Sequence, residues 1–224
     1  MVSEQVIDIL SPKHIELFKR ILAYWQRMAH GAYDIKLKII NSFNHKVCQR
    51  RWRLFLVAKL SVTLGGMGIF NFPAPHLSSP PLSSVYKTSL KAAFRGSLEQ
   101  AMDAEGVHAG NRSRLIARLE SIQRSGIDPR KFPFVVDFAG SKTILTFDCF
   151  NTITATRAMS RDYWSTELNR RFILQELQEA QGSKSDKYDT SMMSDREYGR
   201  MIGSAISVPV FADILKEIIK ALGK

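Results

Sequence analysis

The side chains best placed to do chemistry are cations gathered around one indole. Lys36, Lys38, Lys46, Arg50, Arg51, Arg53 and Lys59 fall within a few tens of positions, opposed only by Asp34, and Trp52 stands inside the run Arg50-Arg51-Trp52-Arg53. Clustered cations gain free energy at a polyanion by releasing counterions or by attraction to anionic lipid, and an exposed indole can stack on a base or rest at a membrane surface. Farther on, Arg114 and Arg118 lie one helical turn apart and could track phosphates, although a merely wet helix face looks the same. We therefore expect polyanion binding at Lys36, Lys38, Lys46, Arg50, Arg51, Trp52, Arg53, Lys59, Arg114 and Arg118. The plain alternative for the first set is a solvated turn with Trp52 in the core. Arg157, Arg161, Arg170 and Arg171 are dispersed and read as solubility.

Signatures of catalysis are missing. Gly65-Gly66-Met67-Gly68 lacks the spacing of a dinucleotide loop, and no Gly-Lys-Ser/Thr follows it to hold a phosphate. There is no Gly-x-Ser-x-Gly, and Ser84-Val85-Tyr86-Lys87 matches Ser-x-x-Lys only as chance allows. His45 and Cys48 can meet across a turn and lower a thiol pKa, but no third group orients them. His14, His30, His76 and His108 make no metal spacing with one another. The expectation is thus a non-enzymatic protein with no catalytic residue, no cofactor and no metal.

The composition sets the class of partner. Of the 224 residues 45% are hydrophobic and 24% charged, as in an ordinary globular protein, and 32 Lys and Arg against 21 acidic residues leave a formal charge of +11. Two cysteines, Cys48 and Cys149, are too few for a disulfide framework. No apolar run approaches a membrane span and no secretory leader opens the chain, so a cytoplasmic protein is expected, one that could sit peripheral to a membrane but is neither secreted nor membrane-spanning.

The elements that must carry these residues follow from periodicity. Ile15, Phe18, Ile21, Leu22 and Trp25 predict a helix between Ser11 and Gly31, preceded by a short strand Val6–Leu10. Alternation predicts strands over Tyr33–Ile39 and Trp52–Leu64, paired through a polar turn near Asn44–Arg50; Phe55 and Val57 interrupt the polar face, so part of that face is expected to be covered as well. Leu90, Phe94, Leu98 and Met102 predict one helix, and Leu115, Leu119 and Ile122 a second behind a cap at Asn111. Phe132–Phe138 and Thr143–Phe150 predict a hairpin about Ala139-Gly140-Ser141-Lys142. A helix is expected from Ser160 to Gln181, stopped by Gly182, and a last one from Pro209, which could pack on its own core, on a partner or on a membrane. The sum is an α+β fold, antiparallel strands and hairpins packed with amphipathic helices, as a single domain over 1–224 with a Pro/Ser-rich loop at about 71–84 and a polar loop at about 182–195.

Two segments resemble a known family. Val6-Ile7-Asp8-Ile9-Leu10-Ser11-Pro12, leading into the Phe18–Trp25 helix, resembles the start of the folded core in rhabdovirus matrix proteins. Arg130-Lys131-Phe132-Pro133-Phe134, through Gly140-Ser141 to Leu145-Thr146-Phe147, is similar to the late hairpin of the vesiculovirus members. Pro80-Pro81-Leu82-Ser83 departs from their Pro-Pro-x-Tyr motif. The resemblance implies a basic, non-enzymatic assembly protein that binds an anionic membrane surface or ribonucleoprotein and forms a homo-oligomer. The alternative reading is a module for single-stranded RNA with no membrane role, and an enzyme acting on a polyanion stands third.

Overall fold

Alternating side chains in two neighbouring segments pair as the pattern predicts, and the rest of the first unit is built on them. The computed structural model describes residues 1–28, 33–60, 69–138 and 143–223 and divides the chain into two compact units. Unit 1 comprises Met1–Lys46, Arg51–Ser78 and Val208–Lys224; unit 2 comprises Val47–Arg50 and Ser79–Ser207.

In unit 1 strands β1 (Val2–Val6), β2 (Tyr33–Asn41) and β3 (Trp52–Leu60) form an antiparallel sheet in the order β1-β3-β2. The register sets Tyr33 opposite Leu60, Lys36 opposite Val57, Lys38 opposite Phe55 and Asn41 opposite Trp52. Opposed residues share a face, so Lys36 and Lys38 lie on the side of Phe55 and Val57. That side packs against Val210 and Ile214 of helix α7 (Val208–Ala221) together with Phe70. Leu54 and Leu56 on the other side pack against Phe18 of helix α1 (Ile15–Arg27). Burial on both faces is why Leu54 to Ala58 is an unbroken apolar run. The last helix thus covers its own sheet. The expected strand Val6–Leu10 is corrected: β1 ends at Val6, and Ile7–Leu10 is a 3-10 turn that drops Ile9 beneath α1.

Unit 2 contains a four-stranded antiparallel sheet, β5-β4-β6-β7, from β4 (Phe134–Asp137), β5 (Ile144–Phe147), β6 (Tyr163–Ser165) and β7 (Arg170–Arg171). The predicted hairpin pairing is present, with Phe134 opposite Phe147 and Asp137 opposite Ile144, while its expected turn lies outside the described residues. Helices α2 (Leu98–Ala104) and α3 (Ala109–Arg124) bury Met102, Leu115, Leu119 and Ile122 against Val136, Phe138 and Trp164. Helix α2 starts only where Ser97 and Gln100 close a reciprocal cap, so Leu90 and Phe94 lie outside it, and His108 takes the cap of α3 expected of Asn111. The long helix expected from Ser160 to Gln181 is instead β6, β7 and the short α5 (Leu174–Ala180). Arg161 and Asn169 adopt left-handed backbone, with φ of 53° and 48°, Arg161 closing the helix Ala155–Ser160 and Asn169 standing immediately before β7. Helices α4 (Ala155–Ser160) and α6 (Asp195–Ser204) pack so closely that a Cβ at Gly199 or Gly203 would overlap the α4 backbone.

Helices and antiparallel sheets together make an α+β arrangement. Among the described residues no helix is long and apolar enough to cross a membrane. The Gly65–Gly68 run lies outside them.

Candidate nucleic-acid interface

The basic residues that look equivalent in sequence are not equivalent in space. In unit 1, Lys36 donates through Nζ to the Phe70 carbonyl at 2.6 Å, and Lys38 reaches the Pro73 carbonyl at 3.4 Å. Both lysines tie the segment 70–73 over the sheet. Arg51 is only 4% exposed, and its backbone N–H donates to the Ser42 hydroxyl at 3.2 Å. Arg53 is also largely enclosed, its Nε 3.4 Å from the Glu4 carboxylate. Burial raises the Glu4 pKa even though Arg51 and Arg53 pull it down, and burial lowers that of Arg53 against the pull of Glu4. The half-buried Lys59 lies opposite Asp34 in the register.

Three positions of this set present themselves outward in unit 1. Lys38 is exposed on β2. Lys46 is exposed and holds left-handed backbone at φ 60°, closing the 3-10 turn Ser42–His45. Trp52, at the start of β3, keeps 51% of its surface open and is not in the core. In unit 2 Arg50 is exposed, while its backbone N–H donates to the Phe150 carbonyl at 2.8 Å. Arg114 is exposed on α3, and Arg118, one turn later, is half-buried.

The described surroundings of both thiols in unit 2 disfavour ionisation. Cys48 and Cys149 are both buried, and Cys48 donates weakly to the Asp148 carbonyl at 3.6 Å. Burial, with Cys149 and Asp148 nearby, pushes the Cys48 thiol up to about 12. Burial raises Cys149 too, over the opposing effect of Arg50. Neither is a thiolate near neutral pH, which removes the activation considered for His45 and Cys48.

His45 instead faces Asp213 of α7, as does His76, giving two imidazoles and a carboxylate within one cluster of unit 1. Burial lowers the His45 pKa, against the pull of Asp213; the two histidines and Lys216 hold the Asp213 carboxylate below its usual range despite its own partial burial. Positions 45, 76 and 213 have no sequence spacing that could have revealed this meeting.

Arg170, read as solubilising, is another residue whose role was hidden. It is fully buried and forks onto Glu176 at 2.7 and 2.9 Å while donating to the carbonyls of Lys91, Ala92 and Arg171. Glu176 also accepts the Lys87 and Ile173 N–H groups. This satisfied node holds the strand-to-helix connection of unit 2.

The sequence profile of C-5 cytosine-specific DNA methylases matches residues 1–220. The chain belongs to that family. Solved structures with the same fold include a methyltransferase of Entamoeba histolytica, 14% identical with a TM-score of 0.56, covering 100% of this chain and 63% of that one. The Dnmt2 methyltransferase of S. pombe is 12% identical with a TM-score of 0.51, covering 97% and 65% respectively. A putative DNA modification methyltransferase encoded within an E. coli prophage is 14% identical with a TM-score of 0.59, covering 100% and 69%. The chain therefore spans less than two thirds of the length of the first two. No curated protein matches it in sequence.

Family membership overturns the matrix-protein reading and the resemblance to rhabdovirus matrix proteins, which rested on two short segments where the methylase profile takes nearly the whole chain. The first of those segments is a strand end and a 3-10 turn, and the second centres on a hairpin, a unit many folds share. The non-enzymatic expectation falls as well, because the family and its structural neighbours are methyltransferases. With it fall the anionic membrane surface, ribonucleoprotein and single-stranded RNA as expected partners, and the homo-oligomer, which was drawn from the matrix resemblance.

Proposed function

We propose that this chain acts in transferring a methyl group to C5 of cytosine in DNA, and that its described residues contribute hold on the duplex. The match to the methylase family over residues 1–220 carries this reading. The +11 charge supports it, since a protein that neutralises phosphates binds DNA by releasing counterions. An enzyme that modifies a base must draw it out of the stack at a cost of about a few kcal/mol, which contacts to the backbone help to offset.

Neither buried cysteine suits attack on the base. A methyl donor is also required. The cavity of unit 1, of about 410 Å³, is lined by apolar residues such as Val57, Leu60, Phe70 and Ile218, with Lys59 as the one charged side chain among the described residues. Its described residues offer no carboxylate to a sugar hydroxyl or a cationic donor atom, so they do not fit a charged nucleoside donor.

Among the candidate residues, Lys46 and Trp52 in unit 1 and Arg50 and Arg114 in unit 2 are the proposed DNA contacts, because they are exposed, whereas the exposed Lys38 already reaches the Pro73 carbonyl. Fluorescence anisotropy with a cytosine-containing duplex over a salt series tests them. Lys46→Glu should weaken binding and reduce the salt slope by about 1. Trp52→Ala should cost about 1–3 kcal/mol if the ring stacks on an unpaired base. Unchanged affinity and slope in Lys46→Glu would remove that residue from the interface.

A further inference from the structure

Asp213 lies on α7, 168 residues from His45 and 137 from His76, yet the three side chains converge in unit 1. His45 Nδ1 is 3.3 Å and His76 Nε2 3.1 Å from the same oxygen, Asp213 Oδ2, and all three donor atoms lie within 4.8 Å of one another. The two rings stand edge to face with centroids 5.9 Å apart. A backbone bond of 2.7 Å from the His76 N–H to the Asn44 carbonyl holds the second histidine beside the turn that carries the first.

These separations have a metric meaning. Metal–ligand bonds of about 2.0–2.1 Å in a tetrahedral site set ligand atoms about 3.3–3.4 Å apart. One edge of the cluster, at 3.3 Å, already has that length, the second, at 3.1 Å, is slightly shorter, and the third is at most 4.8 Å, so a ring movement of no more than about 1.5 Å would close it. As charge-assisted hydrogen bonds the same contacts are long, since such bonds to carboxylates run about 2.7–2.9 Å. Two imidazoles and one carboxylate are borderline donors that suit zinc and its neighbours, whereas calcium and magnesium take oxygen. His76 keeps 34% of its side-chain surface open, so a water can complete the shell. Lys216 Nζ stands 3.4 Å from the other carboxylate oxygen, but its side chain is 69% exposed and can swing away from an arriving cation.

We propose that His45, His76 and Asp213 form a site for a divalent transition-metal ion of the zinc class, clamping the Ser42–His45 turn and the segment at His76 to helix α7. The inference stands apart from the DNA reading, because it uses none of the residues assigned to DNA.

The test is titration of the tag-free full chain, first stripped with chelator, with zinc by calorimetry and with cobalt(II) by visible absorption. The proposal expects one equivalent bound, the intense bands of tetrahedral cobalt, and a rise in Tm of about 5 °C or more at zinc a hundredfold above Kd. His76→Ala, whose ring is partly open to solvent, should keep the native far-ultraviolet dichroism and bind at least tenfold more weakly. Asp213→Asn should weaken binding likewise, and His14→Ala should leave the stoichiometry at one. Absence of saturable binding, or wild-type affinity in His76→Ala, would overturn the proposal and leave a hydrogen-bonded triad.

Discussion

At the scale of single residues, sequence shows charge but not direction. Arg51, Trp52 and Arg53 are consecutive, yet Arg51 is buried, Trp52 is half open and Arg53 is enclosed against Glu4. Reversing either arginine would therefore test the fold before it tested any ligand. Arg170 was illegible for a related reason, because its partner Glu176 only meets it across a strand end and a helix start. Arg170→Met should lower stability by about 3–5 kcal/mol in denaturant unfolding, by leaving Glu176 charged, buried and unmatched; Arg170→Met with Glu176→Leu should recover much of that loss. A loss below 1 kcal/mol would show that the pair is not fully desolvated. The cysteines give a pH prediction. A thiol whose native pKa exceeds its unfolded value keeps its proton longer in the folded state, so the stabilisation is whole below about pH 8.5 and drains as pH rises toward the native value. For Cys48 that value is about 12, so Cys48→Ala should flatten the alkaline decline of the urea midpoint between pH 8 and 10. An unchanged decline would assign it to other groups.

Elements are legible where one period dominates and tertiary contacts agree with it. The β2–β3 pair and α7 follow from their patterns, and even the apolar intrusions Phe55 and Val57 have a cause, since α7 covers that face. The stretch from Ser160 to Gln181 fails because Trp164, Leu168 and Phe172 happen to recur every four residues while belonging to strands and turns. Period-four spacing does not tell a helix from two short strands broken at Arg161 and Asn169. Close helix packing was equally hidden, since Gly199 and Gly203 carry no apolar signal. Gly203→Ala should force α6 away from α4 and destabilise the protein by about 1–3 kcal/mol, read as a shift of the urea midpoint at unchanged m-value. A neutral result would mean that the two helices can separate without loss.

For the whole molecule, a charge of +11 is compatible with a polyanionic partner, but charge alone does not name one. Membership of the cytosine methylase family is what favours DNA in the proposed reading, and within each unit a subset of the cations is exposed. Three residues drawn from distant positions add a cluster that no spacing rule could have foreseen. The most direct test of the central claim is competition: a labelled cytosine-containing DNA duplex bound to the full chain, challenged with equal masses of unlabelled duplex, single-stranded RNA and anionic vesicles. The account predicts that the duplex competes at least tenfold better than either alternative and that affinity falls linearly on a log–log plot against salt. Displacement by RNA or vesicles at equal or lower mass, or no binding to duplex DNA at low salt, would contradict it.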